Sequence, residues 1–183
     1  ANVIGFKTIS KNHVSSTDSN RIQANNPTNK KHGGPNDKER HIPSWNMLQT
    51  KFLEDLKIAG YQTDDIDTVL CTHLHTDHVG WNTILVNDKW EPTFKKADYL
   101  FGKEEWNYTE KQLGNPLYAE FINDSIIPII ESGLVRFVEL DEKICKEITL
   151  EPTLGHTPGH VSIKINSEGE KAAITGDFLH HPC

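Results

Sequence analysis

Cysteine is scarce: Cys71, Cys145 and Cys183 are the whole supply, widely spaced and odd in number. That excludes a disulfide framework and a cysteine-based zinc knuckle, and it favours a reducing, cytoplasmic setting. Long apolar runs are also lacking. No stretch approaches the length needed to span a bilayer, and no charged-then-apolar segment opens the chain, so no membrane association is expected. The first residue is Ala1 rather than Met, which points to processing, truncation or a partial chain. Basic charge is thin as well. Residues 1–36 carry Lys7, Lys11, Arg21, Lys30 and Lys31 against Asp18 alone, which is +4 of a total of −7 and leaves −11 for the rest. An acidic body without a basic stripe is a poor nucleic-acid surface. There is no internal repeat of useful length.

What is present suffices for one domain. The 183 residues, 36% apolar and 25% charged, are enough for a single soluble core and too few for two comfortable ones. Residues 1–36 form a polar segment. Val3-Ile4-Gly5-Phe6 reads as a short strand, but Ser10 to Asn36 has no helical or strand period and too little apolar surface to offset its ordering entropy. Residues 37–183 form the domain, with regular order expected from about Ser44.

The chain is organised around Cys71-Thr72-His73-Leu74-His75-Thr76-Asp77-His78-Val79-Gly80-Trp81. The apolar run Ile66-Asp67-Thr68-Val69-Leu70 before it reads as a buried strand, so the polar cluster is the loop at that strand's end. His73 and His75 alternate around Leu74 and can project the same way while Leu74 packs behind. Asp77 and His78 lie past the strand and can reach a second point nearby. Crowding four such side chains into six positions without a cation would stack desolvation and repulsion. Metal binding is therefore the reading.

Before the cluster, Thr50 reads as the cap of a helix over 51–59 with Phe52, Leu53, Leu56 and Ala59 on one face, and Gly60 stops it. Thr63-Asp64-Asp65 reads as a capped turn. After it come a turn at Asn87-Asp88 and a strand over Ala97–Phe101 stopped by Gly102. A helix over Lys103–Glu110 follows, with Trp106 inside. Another opens at Asn115-Pro116, carries Leu117, Phe121 and Ile122 on one face and is interrupted at Pro128. Val135–Val138, Ile148–Leu150, Val161–Ile165 and Ala172–Thr175 read as strands, the last two joined by a hairpin turn at Asn166-Ser167-Glu168-Gly169. Helix, strand, then ligand loop is α/β organisation. Trp81, Trp90 and Phe94 are read as core in preference to an acyl or aryl pocket.

Two further loops carry ligand-type residues. In Leu154-Gly155-His156-Thr157-Pro158-Gly159-His160, His156 is the third ligand of a first metal and His160 a hydrogen-bonding support. Thr175-Gly176-Asp177 ends a strand with a carboxylate whose two oxygens can bridge two cations. His180 and His181 are either outer supports or exposed.

These three motifs, in this order, resemble the metallo-β-lactamase superfamily. The resemblance implies an αββα sandwich with two divalent metal ions, in this case Zn2+, at one sheet edge. His73, His75 and His156 would hold the first, Asp77 and His78 the second, and Asp177 would bridge. It implies a hydrolase that uses a metal-bound hydroxide to cleave a lactone, ester or related bond of a small-molecule substrate, with Asp77 relaying the proton. The surrounding sequence is similar to the lactonase and methyl-parathion-hydrolase branch. Alternatives are a phosphotriester or thioester hydrolase, a di-iron oxidoreductase, and a metal-binding fragment without activity. The family normally adds a further histidine well downstream of the bridging Asp and strands ahead of position 36, with His32-Gly33-Gly34 a remnant of a loop near the metals. Here the sequence stops six residues after Asp177. A sandwich incomplete at both ends is therefore expected, with exposed edges prone to form a homo-oligomer.

Overall fold

The chain is seen in a computed structural model that describes residues 4–6, 38–48 and 50–178. Apart from Ile4–Phe6, the readings made for the polar segment, and those for His180, His181 and Cys183, lie outside the described residues.

The first sheet has the order β1 (Ile4–Phe6), β2 (Thr68–Leu70), β5 (Asp98–Gly102), β6 (Val135–Val138). β1 is antiparallel to β2, whereas β2, β5 and β6 run parallel, with Val69 opposite Tyr99 and Tyr99 opposite Val135. Parallel neighbours need crossovers. The β2–β5 crossover holds α2 (Thr76–Val79) and the hairpin of β3 (Thr83–Val86) and β4 (Lys89–Pro92). The β5–β6 crossover holds α3 (Lys103–Glu110), α4 (Pro116–Phe121), a π-helical segment (Ile122–Ile126) and α5 (Ile127–Glu131). The second sheet is antiparallel: β7 (Ile148–Pro152), β8 (Val161–Ser167), β9 (Glu170–Ile174).

Strand alternation divides the apolar residues into two cores. Val69, Tyr99 and Phe101 point to the helices and meet Leu56, Phe121, Ile122, Ile126 and Ile129. Leu70, Leu100 and Val138 point the other way and meet Ile148, Leu150, Val161, Ile163, Ile165 and Ile174 of the second sheet. Helices, sheet and sheet are thus stacked as three layers of the expected sandwich. Among the described residues, no helix is long and apolar enough to cross a membrane.

Several readings need correction. α1 (Phe52–Ile58) starts after Lys51, with no side-chain cap from Thr50, and Ala59 is exposed. β5 begins one residue later than read, at Asp98, and ends at Gly102 as expected, where the chain passes directly into α3. Leu117 is 65% exposed, in the first turn of α4 where Asn115 accepts its N–H. Trp106 packs against the helix-side core as read but is only half-buried, with Phe137 beside it, and the fully buried residues of α3 are Glu105 and Thr109. Trp81 and Phe94 are core residues, as read, the first tilted against the Phe52 ring and the second edge-on to it. Ahead of Ser44, Lys38 is already almost wholly buried.

Lys38 is buried because a proline left an acceptor for it. Pro128 has no N–H to give the carbonyl four residues back, so the helix widens into its π turn and the Asp124 carbonyl is released. Lys38 Nζ donates to that carbonyl (3.1 Å), to Ser125 Oγ and Thr83 Oγ1 (2.6 Å each) and to Asp124 Oδ1 (3.2 Å). Arg40 adds a fork onto the same carboxylate at 2.6 and 3.0 Å. Burial, only partly countered by Asp124, brings the Lys38 ammonium down to about 7 from 10.5.

Two predictions follow from this cluster. Asp124→Asn leaves two buried cations without their counter-charge and should lower unfolding stability by about 3–5 kcal/mol in urea titration. Between pH 7 and 9 the unfolded chain holds a Lys38 proton that the folded chain releases, so stability should rise by about 2 kcal/mol. Lys38→Met should flatten that rise. Above pH 9 Cys71, driven up to about 12 by burial, works in the opposite sense.

Candidate metal centre

Three loops leave the same edge of the two sheets. The first follows β2. Thr72 and His73 are buried, His75 precedes α2 in extended conformation, and Asp77 and His78 sit within that four-residue helix. Leu74 is 1% exposed and anchors the loop in the helix-side core. The second loop, between β7 and β8, is joined to the first where the Val161 N–H donates to the Thr72 carbonyl at 3.0 Å. The third is the 3-10 turn Gly176–Phe178 after β9.

His73 is the centre of a ring cluster. Its centroid lies 4.0 Å from that of His78, 4.7 Å from His75, 4.8 Å from His156 and 4.9 Å from His160. Its Nδ1 faces the Thr72 hydroxyl at 3.1 Å, while its Nε2 is buried with no hydrogen bond. Both nitrogens of His78 are likewise buried without a hydrogen bond, although Nε2 stands 3.2 Å from Asp177 Oδ1 and 3.3 Å from Asp77 Oδ2. Donor atoms therefore approach one another without N–H to oxygen alignment. The donors of His73, His75 and His156 all lie within 4.8 Å of one another, and so do those of His73, His78 and Asp177.

Asp177 divides its two oxygens between these groups. Oδ1 faces His78, whereas Oδ2 lies 3.5 Å from His156 Nε2 and 3.9 Å from His73 Nε2. Asp77 stands beside the second group and belongs to neither triad, and His73 belongs to both. The structure thus gathers all six ligand-type residues singled out in the sequence: His73, His75, Asp77, His78, His156 and Asp177.

Protonation suits a cation. Burial, then His78 and His75, drive the His73 ring far below its usual value, and burial with His156 brings His75 down to about 4. Both rings are neutral at pH 7 and offer a lone pair. Burial also lowers His78, but Asp177 and Asp77 overcome it and raise the ring. Burial raises Asp77, but the His78 contact outweighs it and the carboxyl stays below its ordinary range. A neutral His73 with an orphaned buried nitrogen, the neutral His75 beside it, and His78 between two carboxylates fit a divalent cation by donor chemistry.

His160 is wholly buried and both its nitrogens are engaged. Nε2 accepts the Asp177 N–H at 3.0 Å, so the ring proton is on Nδ1 and goes to Thr153 Oγ1 at 2.9 Å. The Thr153 hydroxyl passes the chain to Ser162 Oγ (3.0 Å) and on to the Thr175 carbonyl (3.3 Å). His160 therefore orients Asp177 and has no nitrogen left for a cation. Glu105 and Thr72 were missed in the sequence. The only available signal for Glu105 was that α3 has too few apolar residues to fill an inner face.

A model of the metallo-beta-lactamase superfamily matches residues 33–183. The chain belongs to that superfamily. Within it, an N-acyl homoserine lactonase of a Bacillus species is 28% identical over 120 residues, covering 66% of this chain and 41% of that protein. The Bacillus cereus N-acyl homoserine lactonase is 29% identical over 113 residues, covering 62% and 38%. Among solved structures, the hydrolase AbOPH superposes with a TM-score of 0.60 at 29% identity, over 74% of this chain and 48% of its own. AidC, a dizinc quorum-quenching lactonase, shares the fold with a TM-score of 0.59 at 23% identity, over 74% and 49%. The chain thus spans about half the length, or less, of these superfamily relatives.

Gly176 offers a direct check on the third loop. Its φ is +55°, and an added Cβ would lie 2.7 Å from both His160 Nε2 and Thr72 Oγ1. Gly176→Ala should therefore displace the Asp177 turn and weaken divalent-metal binding in a chelator competition by about 10–100-fold.

Proposed function

We propose that the chain carries the metal-binding part of a hydrolase for a lactone, ester or related bond. His73, His75 and His156 would hold one divalent cation and Asp77 and His78 a second, with Asp177 bridging and zinc as the metal. The observation that carries this reading is the division of the Asp177 carboxylate, one oxygen toward His78 and the other toward His73 and His156. Two cations would supply Lewis acidity and bring the pKa of water towards about 7.

The protein's own residues do the rest. Thr72 and the first sheet fix the His73 ring so that its Nε2 faces inward. His160 aims Asp177 through that residue's N–H. Asp77, with its side chain 21% exposed, is partly open to solvent beside His78. Its carboxylate can take the proton given up when water adds to the substrate and hold it until the alkoxide leaves. The choice of a lactone rests on the Bacillus lactonases, at 28% and 29% identity.

Metal analysis with a substrate panel tests this. Two zinc ions per chain are expected, with hydrolysis of an N-acyl homoserine lactone by the metal-loaded protein, measured by proton release. Asp177→Ala should lower the rate by about 100-fold or more. Iron in place of zinc, or zinc without hydrolysis of lactones, esters or phosphotriesters, would contradict the proposal.

A further inference from the structure

The first two ligand loops are brought together by a residue that contacts none of the imidazoles they present. Glu105 stands in the first turn of α3 and is 2% exposed. Its Oε1 accepts the Leu74 N–H at 3.0 Å, the amide between His73 and His75. Its Oε2 accepts the Thr157 hydroxyl at 2.6 Å and the Gly159 N–H at 3.1 Å, next to His156 and His160. We propose that Glu105 is the positioning residue that sets the His73–His75 loop and the His156 loop at the spacing a divalent cation requires. This rests on reading the histidine cluster as a metal centre.

Three features of the contact support that role. First, it works on backbone as well as side chain. The Leu74 peptide carries the histidines on either side of it, so fixing its N–H limits the swing of both. Second, the approach is close. A Cβ added at Gly159 would lie 2.2 Å from the Glu105 nitrogen and 2.6 Å from its Cα, so only glycine lets this loop rest against α3. Across the gap so defined, His75 Nδ1 and His156 Nε2 stand 2.9 Å apart. Third, only a carboxylate fills the position. All three partners donate, and a carboxylate accepts on both oxygens, whereas an amide would turn its NH2 against at least one of them. Burying the charge is offset by three charge-assisted bonds. The support is also stiff, since α3 leaves β5 directly and β5 is paired with β2, the strand that delivers the first loop.

The test is a competition titration of cobalt(II) with the full chain, read by affinity and by the visible d–d absorption bands. Glu105→Gln and Thr157→Val are compared with wild type and with Ile129→Val, a truncation on α5 in the helix-side core. The two loop variants are expected to bind cobalt about 10–100-fold more weakly and with shifted bands. Ile129→Val should keep wild-type affinity and bands. If Glu105→Gln does not fold, Thr157→Val alone decides, since it removes one bond and little volume. Wild-type affinity and bands in the folded loop variants, or an equal loss in Ile129→Val, would overturn the assignment. A wild-type chain that takes up no cobalt would overturn the metal-centre reading itself, and this assignment with it.

Discussion

The structure depends on packing four imidazole rings, two of them buried, around the buried ring of His73. His73 touches four other rings within 4.9 Å and keeps a buried nitrogen without a hydrogen bond. A buried polar atom left unpaired is costly, on the order of 1–3 kcal/mol each. His78 adds two more. Neighbouring imidazoles also oppose one another's protonation, which together with burial keeps His73 and His75 neutral. The cluster is poor as a stability device and well suited to a group that accepts lone pairs.

Much of the rest can be read as the support this arrangement needs. The alternation of β2 and β5 sends Val69 and Tyr99 to the helices and Leu70 and Leu100 to the second sheet, so the strand that carries the first loop is clamped on both faces. Polar groups then fix what apolar packing cannot. Thr72 orients His73, His160 orients Asp177, and Glu105 spans two loops. Farther back, the π turn frees the Asp124 carbonyl for Lys38, and the Ser125 carbonyl accepts from Asn82 Nδ2. Asn82 Oδ1 in turn meets the thiol of Cys71, two residues before His73.

The ligand-type residues were legible in the sequence because they are dense and carry their own chemistry. Four in six positions after an apolar strand leave few readings, and a strand-end Asp after Gly176 completes a pattern. The strands of the second sheet were legible as short apolar runs, two of them joined by a turn at Asn166-Ser167-Glu168-Gly169. What escaped was decided by tertiary contact. Leu117 and Ala59 lie at helical spacing from buried residues yet face solvent, and a buried Glu105 has no marker in a helix rich in charge. Lys38 stands in a polar stretch, and only the folded chain shows that Pro128 has released an acceptor for it. The grouping within the cluster was also hidden, since spacing assigns His73 to one set and geometry places it in two.

Crystals soaked in zinc and measured on both sides of the zinc absorption edge would test the central claim most directly. The account predicts two anomalous peaks, one among His73, His75 and His156 and one beside Asp77 and His78, about 3.5–4 Å apart with Asp177 between them. Rings at 73, 75 and 156 turned to different sides of the molecule, with no peak among them, would contradict it.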